Sequence, residues 1–157
     1  MAVPGLAQNV PSVRTTNEVL TGAALTRVVP TSFYFEGQAA PTQMRNSAAA
    51  RINGRYVIAG MVDTSGYSAE IRARYQGFFI TDTAITIAGE SLPTGAYGFG
   101  FSNDGKFNIF DVGNNQVLSV SSTNDKALRR PRPLMMTMDG ANVRLYAGRD
   151  YVVIAVK

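Results

Sequence analysis

The side chains that could do chemistry in this chain are few, and the gaps among them are informative. The sequence has no histidine and no cysteine. Ser-His-Asp and Cys-His nucleophiles are therefore excluded, as is acid–base work by imidazole. Most zinc, copper, haem and non-haem iron sites rest on His or Cys and go with them. A serine–lysine dyad would have to use Lys106, Lys126 or Lys157. Lys106 follows a turn signal, Lys126 lies in a basic connector and Lys157 is the last residue. Lysine becomes a useful base only when burial or a like charge drives off its proton. Carboxylates remain. Asp63, Asp82 and Asp111 fall within or at the ends of predicted strands, and Glu36 and Glu70 join them as candidates. Two of these across a cleft would support acid–base hydrolysis. No motif fixes their separation. The simpler use of such aspartates is to pair with arginine or to close turns through local backbone bonds.

A binding role draws on different residues. The stretch Gln38–Arg51 (QAAPTQMRNSAAAR) is poor in large apolar groups yet lies between two strongly β-like runs. Gln38, Gln43, Arg45, Asn46 and Arg51 could fix a polar ligand, as a few placed polar groups do in an otherwise apolar cavity. Tyr34 and Tyr67, with Tyr75, could supply aromatic walls. The structural alternative is a polar strand, or a long loop over the end of a barrel. No cofactor and no metal is expected. Ser102–Asn108 (SNDGKFN) lacks the spacing and the closing glutamate of a calcium loop. Gly95–Gly100 (GAYGFG) is followed by no helix that could hold a phosphate. Tyr97, Phe99 and Phe101 alternate along one strand face. Without basic residues beside them they read as core rather than as a platform for stacked bases.

These residues must be held by β-structure. Asn53-Gly54 joins Ala48–Ile52 to Arg55–Val62, and Asn-Gly suits a type I′ hairpin because both central residues need positive φ. Asn103-Asp104-Gly105 joins Ala96–Phe101 to Lys106–Val112, and Gly113-Asn114-Asn115 leads on to Gln116–Ser121. Asp139-Gly140 joins Leu134–Met138 to Asn142–Ala147, and Gly148-Arg149-Asp150 turns into Tyr151–Val156. Thr31–Glu36, Gln76–Asp82 and Ala84–Ala88 are further aromatic or β-branched runs. About nine to eleven strands are expected. The repeated turn signals predict an all-β antiparallel meander. Glycines alternate with aromatics in Tyr97-Gly98-Phe99-Gly100-Phe101, which favours a small, curved barrel; a two-sheet β-sandwich is the alternative. At most one short helix is expected, over Ser68–Tyr75 with Ser68 as its cap. Tyr151–Val156 is apolar on both faces and belongs at the centre of a sheet or in an interface.

A chain of 157 residues, 45% hydrophobic and 17% charged, can bury a core without disulfides. Residues 1–19, with Pro4, Gly5 and Pro11, read as a flexible arm, and residues 20–157 as a single β domain. Gly5 and Ala7 have the small-residue spacing of a signal-peptide cleavage site, so the arm is expected to hold a signal-peptide remnant. No apolar run is long enough to span a membrane. The net charge of +4 is scattered except at Lys126–Pro133 (KALRRPRP), which reads as a solvated, extended connector. The expected partners are a small molecule, a protein or another copy of the chain, and not nucleic acid.

Through FYFEGQAAPTQMRN, VDTSGY, TGAYGFGF, NIFDVG, RRPRPLMM and LYAGRDYVV, the chain resembles small secreted bacterial proteins of acidobacterial type whose function is unassigned. The resemblance covers most of residues 20–157. It implies export, periplasmic or extracellular, and it implies no activity. Ile85-Thr-Ile-Ala-Gly89 with Leu92-Pro-Thr-Gly95-Ala-Tyr97 is similar to a V-x-V-x-G-x-x-L-P-x-G-x-Y stretch of certain bacterial β-sandwich domains, which implies the sandwich. The expectation for function is a non-catalytic exported β-barrel domain that binds a small ligand or a protein. The alternatives are a structural homo-oligomer or surface-assembly subunit, and a carboxylate-dependent hydrolase.

Overall fold

The computed structural model describes residues 17–157. The expected signal-peptide remnant and most of the expected arm lie outside them. The arm is expected to run to residue 19, but β1 (Glu18–Val19) already pairs with Arg51 and Ala50.

The expected hairpins form. β3 (Gln38–Ile52) meets β4 (Arg55–Val62) at Asn53-Gly54, whose φ angles of 52° and 77° make the type I′ turn. The same geometry closes two hairpins that carry weaker signals. β2 (Ser32–Phe35) turns into β3 at Glu36-Gly37, and β6 (Ile85–Ile87) turns into β7 (Glu90–Leu92) at Ala88-Gly89. The remaining strands are β5 (Gly77–Thr81), β8 (Gly95–Phe101), β9 (Lys106–Phe110) and β10 (Gln116–Ser121). They are followed by β11 (Thr123–Asn124), β12 (Arg132–Asp139), β13 (Asn142–Gly148) and β14 (Asp150–Val156).

The strands divide into two antiparallel sheets. One has eight strands in the order β1-β3-β4-β5-β8-β9-β10, with β2 on β3; the other has six in the order β12-β13-β14-β6-β7, with β11 on β14. The barrel expectation is therefore corrected to the sandwich-like alternative, since among the described residues no ladder joins the two sheets into a closed ring. The doubly apolar strand β14 is central, between β13 and β6.

The glycines explain the misreading. The eight-stranded sheet is covered on both faces. Its inner face sets Ala59, Phe79, Phe99 and Ile109 against Val143, Leu145, Val152 and Ile154 of the other sheet. Its outer face carries a second core, in which Phe33, Phe35, Tyr67 and Tyr75 lie over Ile58 and Phe78. A methyl group on Gly98 would meet the Phe35 ring at 2.5 Å. One on Gly100 would overlap the carbonyl of Arg74. These glycines admit a packed layer against the strand.

Two helices help to cover the outer face, one more than expected. α2 (Ala69–Arg72) is the expected one, and Ser68 Oγ accepts a hydrogen bond from the Ile71 N–H at 3.3 Å. α1 (Gly22–Val28) packs through Leu25 and Val28. A helix that short shows too little periodicity to register in sequence, and its stability comes from tertiary packing. Among the described residues no helix is long and apolar enough to cross a membrane.

Candidate functional site

β3 carries most of the candidate residues, and its ladder is interrupted. Thr42 pairs with Val62 and Ser47 with Gly60, so Gln43, Met44, Arg45 and Asn46 all stand opposite Met61. Such a bulge bends the strand and re-aims its side chains. This one is locked from within. Asn46 Nδ2 donates to Gln43 Oε1 at 2.8 Å, Gln43 Nε2 to the Val62 carbonyl at 3.3 Å, and Ser47 Oγ to the Met44 carbonyl at 2.7 Å.

The bulge turns Met44 and Arg45 towards a groove of about 390 Å³ where the margins of the two sheets meet. Its lining includes Val19 and Leu20 with Leu25 of α1, and Arg132, Met135 and Met136 of β12. β12 is the outermost strand of its sheet, and its pairing with β13 slips between Arg132 and Met135, around Pro133. Among the described residues, the lining contains two arginines, no carboxylate and no aromatic ring. Arg45 and Arg132 are both exposed. Neither makes a side-chain hydrogen bond or an ion pair with a described residue.

The other candidate residues lie elsewhere. Tyr67 is buried, with its hydroxyl 2.9 Å from the carbonyl oxygens of both Phe35 and Gln38. It meets Tyr75 edge-on at 5.3 Å, and Tyr75 stacks on Phe35 at 3.9 Å. Burial pushes both phenols above their ordinary range, so both stay protonated. They pin the β2–β3 hairpin to the sheet and are not part of the groove lining. Tyr34 faces the other way and is 57% exposed. Arg51 is paired with Glu18 and lies 3.4 Å from the Tyr56 hydroxyl. The bond to Glu18 raises its pKa further. Arg51 borders a smaller hollow of about 180 Å³, shared with Arg27 beside a different face of α1. Of the seven candidates, Arg45 lines the groove and Gln43 and Asn46 shape it. Gln38, Arg51, Tyr34 and Tyr67 do not reach it.

The three candidate aspartates are engaged by backbone donors. Asp63 Oδ1 accepts from the Ser65 N–H at 3.0 Å, and that bond lowers its pKa. Asp111 accepts from the Asn115 N–H at 2.9 Å and the Gly113 N–H at 3.0 Å, and it too is lowered, first by Asn115. Asp82 accepts from the Tyr56 N–H at 2.8 Å and pairs with Arg55 at 3.5 Å. Asp82 thus sits beside the start of β4, while Asp63 follows its end, so the strand's length separates them. Among the described residues no three of His, Cys, Asp and Glu stand close enough to hold a metal ion.

Several groove residues escape sequence reasoning because they come from distant segments. Leu25 lies on the unexpected helix. Arg132 belongs to a run that reads as a solvated connector. A usable signal was Pro133, since proline in a strand marks a sheet edge and would place Arg-Pro-Leu-Met-Met at a margin. Compared with protein families, curated proteins and solved structures, the chain matches none.

Proposed function

We propose that the chain is a non-catalytic, exported β-domain that binds a small ligand in the groove between β3 and β12. One observation carries this reading. The groove combines a methionine-rich apolar surface with two arginines that have no partner among the described residues. Its volume falls in the range of small-molecule sites, about 300–1,000 Å³, and a few convergent polar groups on an apolar wall are their usual lining. The absence of histidine and cysteine, with aspartates spent on turns, supports binding over catalysis. The resemblance to secreted bacterial proteins supports export, and recovery of the native protein from the cytoplasm alone would overturn that part.

The test of binding uses the methionines. Met44, Met135 and Met136 line the groove, Met136 as a buried member of the inner core; Met61 and Met138 pack against that core and do not line the groove. Protein labelled at its methionine methyl groups is titrated with pools of metabolites and lipids. Signals of the three groove methionines are expected to shift while those of Met61 and Met138 hold still. If no pool moves them, the groove is not a binding site.

A further inference from the structure

Resting on the groove reading above, we infer that the groove selects an anionic amphiphile, a carboxylate head on an unbranched apolar chain. Arg45 and Arg132 hold the head, and the methionines bed the chain.

The charge argument comes first. Arg45 and Arg132 are the charged groups of the lining among the described residues, one from β3 and one from β12. Like charges gathered in one groove repel, and an anion between them converts that repulsion into attraction. The guanidinium fork matches a carboxylate in two parallel hydrogen bonds. Both arginines sit at irregularities of their strands, the bulge of β3 and the slipped pairing of β12. Two unrelated ladder defects therefore bring two cations to the same place.

The apolar surface decides the rest of the ligand. Met44 is 36% exposed although nothing polar requires it there. Flexible thioethers mould themselves to a chain of variable shape. With no aromatic ring in the lining among the described residues, these residues offer nothing on which to stack a base or a sugar. An added peptide strand is disfavoured as well. It would need an unbroken edge on β12, and Pro133 and the register slip interrupt that edge.

The experiment is isothermal titration of the intact chain with hexanoate, octanoate, decanoate and decanol, each below its aggregation concentration. The methionine-methyl signals are recorded in parallel. Each methylene added to the acid is expected to tighten binding by roughly three- to four-fold, the effect of burying one methylene. Arg45→Gln and Arg132→Gln are each expected to weaken decanoate by about ten-fold or more, and added salt to weaken it further. Both arginines are exposed, so folding is expected to be unaffected, and thermal unfolding checks this. If decanol binds as tightly as decanoate and moves the groove methionines, the groove stands and the anionic head falls. If an acidic peptide or a pooled metabolite moves them and decanoate does not, the amphiphile falls and the binding reading survives. If nothing moves them, both fall.

Discussion

Ala88 has φ of 50° in the exposed turn between β6 and β7. An alanine in the left-handed region costs about 1–2 kcal/mol. Glycine avoids that strain but loses about 0.5–1 kcal/mol more on ordering. Ala88→Gly is therefore expected to stabilise the fold by up to about 1 kcal/mol in urea unfolding; a loss would show that the turn is unstrained. Asp111 supports a second expectation. Its backbone donors favour the ionised form, so its pKa is lower in the folded chain than in the unfolded one. As the pH falls, the unfolded chain binds the proton first. The contribution of Asp111 is thus complete above the unfolded value, about 3.9, and is lost as the pH falls through the folded one. The stability gap between the native chain and Asp111→Ala is expected to be largest above about pH 5 and to narrow as the pH falls below the unfolded value. A gap that stays constant over that range would show that the charge of Asp111 plays no part. At this scale the sequence was readable, because an aspartate two residues before Ser65 or Gly113 closes its turn with local bonds alone.

Elements bring in neighbours that the local sequence does not contain. The alternation of Gly98 and Gly100 with aromatic residues identifies two faces of β8 and says nothing of what each face meets. The neighbours, Phe35 and the Arg74 carbonyl, arrive from distant strands and loops. Gly100→Ala drives a methyl group into backbone and is expected to cost at least the 1–3 kcal/mol typical of overpacking, about the upper end or more. Gly98→Ala meets the buried Phe35 side chain rather than backbone, so a smaller loss is expected, and Phe35→Leu should recover part of it. Failure of that rescue would return the glycines to the role of strand corners. The β3 bulge was equally hidden. Gln43 and Asn46 are visible as polar residues, but their bond to each other exists only because the ladder slips. Asn46→Ala is expected to cost about 0.5–1.5 kcal/mol, one internal hydrogen bond, and to shift the methyl signal of Met44. An unmoved Met44 signal would mean that the bulge holds without the lock.

At the scale of the whole molecule the unread information is which surfaces stack. Hairpin turns and alternation yield the strands, and the doubly apolar β14 announces a central place. The groove joins β3 to β12, segments far apart along the chain whose meeting leaves no local trace. The second core on the outer face of the larger sheet is of the same kind, and it makes a claim about dynamics. β4 and β5 are covered on both faces, by the smaller sheet and by the aromatic layer of Phe33, Phe35, Tyr67 and Tyr75. The outer residues of β13 and β14, such as Arg144 and Val153, are only half-buried. Amides with two apolar covers open only when the whole domain unfolds, whereas those near one open face also exchange through local openings. Native-state hydrogen exchange is therefore expected to be slowest at Ile58, Phe78 and Phe79, with free energies equal to global unfolding. It is expected to be faster at Arg144 and Val153, and fastest in α1 and the two-residue strand β11. If β13 and β14 outlast β4 and β5, the outer aromatic layer adds nothing to the sheet it covers, and the sandwich alone holds the fold together.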